Sequence, residues 1–392
     1  MKKRRLLTVI ILSAFMLTVA VTPVILAASA GFPLLDSFMK ADMTKKRQAI
    51  EHIRNNYPTL RQDVFGYIST KDPEIPTKIR AARMELIKSK YPGLPVKLTR
   101  QVLQDLEKKY SSPVLDIAVD VSGLISEKYP TLPADMMRWR AESKVKSKSM
   151  KVIREKHPDL LTDVMQVMES GNYKKQIVSF RADVKSMMET KHPGLREKVR
   201  NEVMTLVKTK YPELPEKIAA IMEDPAKNPR FAIPDMISKE CPGLVHEALT
   251  AVRDKYGKEI HKAVMDILQL ADDKYPTLST DLMADMSAMI SAKHPTLFTD
   301  IAKVRVDLRK DVAAKMKSKY PGFRNDMKAM MDAKYPGLGK DIVSVIGRNY
   351  PELKKDMANM MKARFAGFLT GLQTDMEKKH PKLIPELTKI LE

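Results

Sequence analysis

Hydrophobic positions along this chain recur with a helical stride, and prolines interrupt them at regular places. After Pro321 apolar residues fall at Phe323, Met327, Met330 and Met331; after Pro336 at Leu338, Ile342, Val345 and Ile346; after Pro351 at Leu353, Met357, Met360 and Met361. Offsets of two, six, nine and ten from the proline trace one stripe of an α-helix, not the alternation of a strand. Proline suits the first helical turn, where its missing N–H is no loss, and it drives the preceding residue out of α geometry. Each proline step therefore predicts the end of one helix and the start of the next.

The residue before the proline forms a slot of its own: Tyr57, Asp72, Tyr91, Tyr129, His157, His192, Tyr211, Cys241, Tyr275, His294, Tyr320, Tyr335, Tyr350 and His380. Degenerate copies at Tyr110, Tyr173, Tyr256 and Phe365 fill the gaps, so 11 of the 12 tyrosines occupy this one position. From Tyr320 to His380 the slots stand 15 residues apart; from Asp72 to Tyr129, and from Tyr173 to Tyr211, they stand 19 apart. The difference is about one turn of α-helix, which lengthens a unit while keeping its apolar face in the same direction. The fold class that follows is all-α. It is an array of short amphipathic helices in 15- and 19-residue units, broken at Tyr-Pro or His-Pro steps and arranged as a solenoid or an elongated helical bundle. Continuous helices that bend at each proline are the rival arrangement, at a cost of roughly 3 kcal/mol per interior proline. A longer helix is expected from Leu297 to Ser318, which has no internal proline or glycine.

Residues 1–30 read as a secretory leader: Lys2, Lys3, Arg4 and Arg5, an uncharged apolar stretch from Leu6 to Leu26, then Ala28-Ser29-Ala30. The stretch is also long enough to serve as an uncleaved membrane anchor. Either form predicts a protein outside the cytoplasm, secreted or held in the cell envelope. Two helical repeat regions follow, 31–222 and 235–392, separated by a Pro-rich hinge at 223–234 that holds Pro225, Pro229 and Pro234.

Charge then narrows the partners. The chain has 69 Lys+Arg and 48 Asp+Glu; without the four leader cations 65 face 48, an excess of +17. A basic exported protein is drawn to anionic cell-envelope polymer, an acidic membrane surface or nucleic acid, with salt-sensitive affinity. Within each unit the signs are ordered. Acids such as Asp135, Asp326 and Asp356 stand five residues after a slot proline, and lysines such as Lys90, Lys128 and Lys334 stand just before the slot. Acid at a helix start and base at its end complement the helix dipole.

The Lys-Tyr pairs are the candidate contacts to an anionic polymer: Lys90 and Tyr91, Lys128 and Tyr129, Lys210 and Tyr211, Lys274 and Tyr275, Lys319 and Tyr320, Lys334 and Tyr335. As a ladder they would stack bases or sugars while the cations follow a backbone. As structure, each ring would cover the end of the core at a turn, with its hydroxyl in water. The 27 methionines include i,i+3 pairs such as Met327/Met330 and Met357/Met360. Thioethers at that spacing suit a soft metal, and equally a pliable apolar core.

No catalytic signature is present. His246-Glu247 lacks the second histidine of a zinc-protease helix, since Thr250 stands there, and there is no nucleophile elbow, phosphate-binding glycine loop or Cys-x-x-Cys pair. Neither cofactor nor metal is expected. The one cysteine, Cys241, rules out an intrachain disulfide and leaves cross-linking of two copies as its chemistry. The leading expectation is a non-enzymatic structural or scaffolding protein of the cell envelope with a basic surface. Two alternatives stay open: a carrier of an apolar ligand or soft metal in a Met-rich seam, and an exported nucleic-acid binder using the Lys-Tyr ladder.

Overall fold

The computed structural model describes Ser37 and residues 41–392 apart from positions 111 and 144; the leader, 1–30, lies outside the described residues. It is an all-α array, with no strand among the described residues. The first half of the chain supplies α1 (Met43–Asn56), α2 (Leu60–Lys71), α3 (Ile75–Lys90), α4 (Leu94–Glu107), α5 (Pro113–Lys128), α6 (Leu132–Glu142), α7 (Val145–Lys156), α8 (Leu160–Ser170), α9 (Tyr173–Lys191), α10 (Leu195–Lys210) and α11 (Leu214–Glu223). The second half supplies α12 (Pro229–Glu240), α13 (Leu244–Lys274), α14 (Leu278–Lys293), α15 (Leu297–Lys319), α16 (Phe323–Lys334), α17 (Leu338–Asn349), α18 (Pro351–Lys379) and α19 (Leu383–Leu391).

Local chemistry sets these boundaries. At Tyr335 the backbone N–H donates to Met331 O at 2.9 Å and closes α16, while its carbonyl accepts from Leu338 N at 3.1 Å and opens α17. One non-helical residue (φ −127°, ψ 55°) thus satisfies orphan groups of two helix ends, and the proline after it carries no N–H to leave unpaired. Helices break at Pro321, Pro336 and Pro351, and α15 runs unbroken over the stretch expected to be long. Continuity appears where proline is missing. α13 passes straight through Tyr256-Gly257, and α18 bends at Phe365 (φ −128°, ψ 23°). There the Ser112 hydroxyl donates to the Gly257 carbonyl at 3.2 Å. At Gly93 φ is +77°, and a Cβ would stand 2.7 Å from Pro276 O, so this turn admits only glycine.

The chain reverses at residues 224–228, between α11 and α12; of the stretch 223–234 expected as a hinge, Pro229 already opens α12 and Pro234 lies inside it, and the second half runs back along the first. α1 packs on α19, α2 and α3 on α18, α4 on α17, α5 on α16, α6 and α7 on α15, α8 on α14, α10 on α13, and α11 on α12. This double row is itself folded over. α3 packs on α14, α4 and α5 on α13, and α6 on α12. Four rows of helices result, with α3–α6 and α12–α14 in the middle and α15–α18 and α8–α11 outside. The apolar core divides accordingly. Leu372, Met376 and Leu383 pack with Leu60 and Ile75 where the two termini of the array meet, and Met84, Ile87, Leu98 and Val102 pack with Val345 and Ile346 further along.

Candidate functional site: the Lys-Tyr rungs

Because the halves run antiparallel, slots at similar distances from the turn face each other. Tyr91 meets Tyr350 with ring centroids 6.2 Å apart, Tyr110 meets Tyr335 at 5.1 Å, Tyr129 meets Tyr320 at 5.8 Å, His157 meets His294 at 5.3 Å and Tyr57 meets His380 at 5.6 Å. Most of these pairs are edge-to-face, the arrangement that the ring quadrupole favours. Tyr129, His157, His294, Tyr320 and Tyr335 are buried. The rings are turned into the seam between the rows and not aligned along an open face.

Many slots then reach an acid on a helix of the facing row, most simply on the helix that follows the partner's slot. The Tyr129 hydroxyl donates to Asp326 at 2.9 Å and the Lys128 ammonium to the same carboxylate at 3.0 Å; in return Tyr320 and Lys319 both donate to Asp135. Asp326 stands six residues after Tyr320 and Asp135 six after Tyr129, so one rung holds two crossed, mutually related clasps. The histidine rung repeats the arrangement. Lys156 and His157 meet Asp300 at 2.7 and 3.3 Å, and Lys293 and His294 meet Asp163. At the open end of the array Tyr57 donates to Glu386 at 2.6 Å and His380 meets Asp63 at 2.9 Å.

The six candidate Lys-Tyr pairs all take part. Lys90 and Tyr91 share Asp356 at 2.9 and 2.8 Å, and Lys274 and Tyr275 share Asp183, both at 3.1 Å. Lys334 and Tyr335 share Asp120, with the hydroxyl at 2.6 Å, and Lys210 lies 3.1 Å from Glu247. Lys128 with Tyr129 and Lys319 with Tyr320 complete the set, as described above. Every one of these lysines is about half exposed, yet its charge is matched by an acid of the opposite row. The expectation of a hydroxyl in water is thereby corrected: in five of the six pairs a hydrogen bond ties the phenol to a carboxylate.

Some rungs use an acid one helical turn further along. Asp120, Asp183, Glu202, Asp266 and Asp285 each stand ten residues after a slot. Tyr173 and Lys88 reach Asp285, Lys255 reaches Glu202 at 2.6 Å, and His192 meets Asp266 at 2.9 Å. The step from six to ten preserves the helix face, which is why either position can serve. The rung beside the turn carries the charges reversed. Glu240 occupies the lysine position before Cys241, and Lys217 occupies the acid position six after Tyr211. They pair at 2.7 Å.

The electrostatics follow. Burial pushes the carboxyls of Asp120, Asp135, Asp285 and Asp300 up, but hydrogen bonds from a lysine, together with a tyrosine or threonine hydroxyl, outweigh it and hold each below the usual carboxylate range. The phenols move the other way. Burial, then the hydrogen bond to a carboxylate, pushes Tyr91 and Tyr320 up to about 12. Burial also raises the thiol of Cys241, which is buried.

The rung of Asp72 and Phe365 has no ring pair. Near it a cavity of about 150 Å³ opens between α2, α3 and α18, lined by Val64, Ile68, Ile79, Met361, Phe368 and Leu372. No group of three His, Cys, Asp or Glu side chains that could hold a metal ion is found among the described residues. Comparison of the chain with protein-family models, curated proteins and solved structures finds no match. The functional reading therefore rests on these residues alone. Sequence reasoning missed the pairing of slots across the turn, for which the reversed charges of Lys217 and Glu240 were the available signal.

Proposed function

We propose that this protein is an exported, non-enzymatic scaffold of the cell envelope that presents a basic surface to anionic polymer or acidic lipid. One observation carries the reading: the repeat uses its Lys-Tyr and Asp positions on itself, to clasp two antiparallel rows at successive rungs. Recurring chemistry that serves cross-linking of the fold is what a load-bearing or spacing element needs. Ion pairs consume charges of both signs equally. The excess of 65 Lys+Arg over 48 Asp+Glu therefore has to face solvent or a partner.

The test is a titration with a phosphate-backbone polymer and with a neutral glycan at several salt concentrations. Binding to the anionic polymer should weaken steeply between about 50 and 200 mM salt, and the neutral glycan should not bind. Equal, salt-independent binding to both would remove the proposal. The carrier alternative has one specific support, the apolar cavity of about 150 Å³. A site of that size takes an aromatic ring and little more, and saturable binding of benzene or xenon with a rise in melting temperature would favour it.

A further inference from the structure

The two outer rows occupy equivalent places in the array, yet they present different surfaces to solvent. On α15–α18 no described apolar side chain of large size stands open. On α8–α11 five do: Leu161 (74% exposed), Met165, Val178 (58%), Met204 and Met222 (62%). A core helix in the middle rows turns the corresponding stripe inward. On α4 the positions four, eight and twelve after the slot are Pro95, Thr99 and Leu103, all buried and next to α13. On α8 the first two of those positions, Leu161 and Met165, are bare.

Bases stand beside the bare apolar residues on the same helix faces. On α9, Lys174, Val178, Arg181 and Lys185 recur at steps of four, three and four; on α10, Arg196, Arg200, Met204 and Lys208 recur at steps of four, and all eight are exposed. Such spacing places each set along one side of its helix. Both helices rest on α13, so these sides are turned away from it together. Arg181, Arg196, Arg200 and Lys208 have no acid within ion-pair distance among the described residues, unlike the slot lysines.

We propose that this outward side of α8–α10 seats on the headgroup region of an acidic phospholipid bilayer, with Leu161, Val178 and Met204 entering the acyl boundary and the arginines and lysines at the phosphates. The inference rests on the basic-surface reading above and assigns it one face and one partner. An anionic polymer would satisfy the cations and gain nothing from open leucine and methionine, whereas a bilayer interface accepts both kinds of group at once. A second copy docked through the same side would set arginine against arginine. Long basic side chains also reach past an inserted apolar neighbour to the phosphates. None of the described helices is long and apolar enough to cross a membrane, so the contact is peripheral.

The experiment uses the full chain with Cys241→Ser and a polarity-sensitive dye on Leu161→Cys, compared with the same dye on Arg324→Cys of the opposite outer row. Vesicles of phosphatidylglycerol should shift the emission of the first dye to the blue and leave the second unchanged; phosphatidylcholine vesicles should shift neither. Because both dyes ride on the same chain, any binding by the leader is common to them. Arg181→Glu, Arg196→Glu and Arg200→Glu together should weaken the shift at position 161 by about two orders of magnitude in lipid concentration, at roughly fivefold per base, with an unchanged melting temperature. A shift at 324 equal to that at 161, a silent dye at 161 on acidic vesicles, or an equal shift with soluble polyphosphate would overturn the assignment. If the dye is silent on vesicles while the protein still binds polyphosphate in a salt-sensitive way, the scaffold reading survives and this face is excluded from it.

Discussion

Lys217 lies 2.7 Å from Glu240, and the two positions carry the opposite charges in the clasps at Asp326, Asp135, Asp300 and Asp163. The reversal shows that the rung requires complementary signs and not a particular residue at either end. Lys217→Glu alone should lower the midpoint of chemical denaturation, because it gathers three acids at Glu213, Glu240 and the new site. Glu240→Lys alone should do the same by setting two lysines together. The double reversal should recover most of the loss in a double-mutant cycle. Additive losses would mean that the two side chains are independent.

The Tyr335 phenol is 5% exposed and donates to Asp120, which also holds Lys334. Tyr335→Phe keeps the ring against Tyr110 and deletes only the hydroxyl, so it isolates the clasp. The expected loss is about 1.5–3 kcal/mol, the range for a hydrogen bond to a charged group. Lys334→Met should cost less, about 0–1 kcal/mol, because its ammonium end is half exposed and screened. Equal stability of the wild type and Tyr335→Phe in urea titration would show that the hydroxyl contributes nothing.

Helix boundaries were legible because they are local. Proline and the slot residue act within a few bonds, so breaks at Pro321, Pro336 and Pro351 and the long helix ending at Lys319 could be read directly. The dipole reading of Asp326 and Lys128 was also sound as far as it went: they sit in a first and at a last helical turn. What one helix cannot reveal is which other helix end its charges meet. Lys128 and Asp326 are 198 positions apart, and only the reversal of direction at residues 224–228 brings them together. Where the double row folds over, Gly93 is required, and its role appears only against Pro276. The pattern that marks the candidate polymer contacts, an aromatic ring beside a cation, is one that an internal clasp produces equally well.

Stability should fall at both ends of the pH range. Asp120, Asp135, Asp285 and Asp300 titrate below their ordinary range in the folded chain, held down against burial by their lysine and hydroxyl partners. A depressed carboxyl stabilises the fold above its unfolded value of about 3.9, and that contribution is lost as pH falls through the folded value. Tyr57, Tyr91 and Tyr320 are pushed up to about 12 by burial and by the carboxylate each one faces. Their contribution is complete below about pH 10 and is lost as pH rises toward 12. Melting temperatures should therefore be flat through neutrality, dropping below about pH 4 and above about pH 10. Asp300→Asn should be less stable at pH 7 but show a shallower acid limb. An acid limb as steep as that of the wild type would remove Asp300 from the account.

The two halves of the chain should not fold apart. Each crossed clasp takes its lysine and ring from one half and its acid from the other, and the apolar clusters are likewise shared, as where Met84 and Ile87 pack with Val345 and Ile346. A polypeptide of residues 31–222 alone would expose the rung face of every helix and leave Asp135 and Asp163 without their cations. It is expected to be soluble only with chaperone or denaturant and to lack a cooperative transition, and 235–392 should behave alike. Cutting the intact protein between Asp224 and Asn228 is a different matter. These positions lie between α11 and α12, so the clasps on either side stay closed. The nicked protein should co-elute as one species in size-exclusion chromatography and melt cooperatively. Its transition should become dependent on concentration, because the second half now has to return from solution. Mixing the two separately unfolded halves should restore the same species slowly, with long-range pairings and no turn to guide them. A half that folds alone, with a sharp melt and native circular dichroism, would show that the rungs decorate two independent solenoids instead of holding one array together.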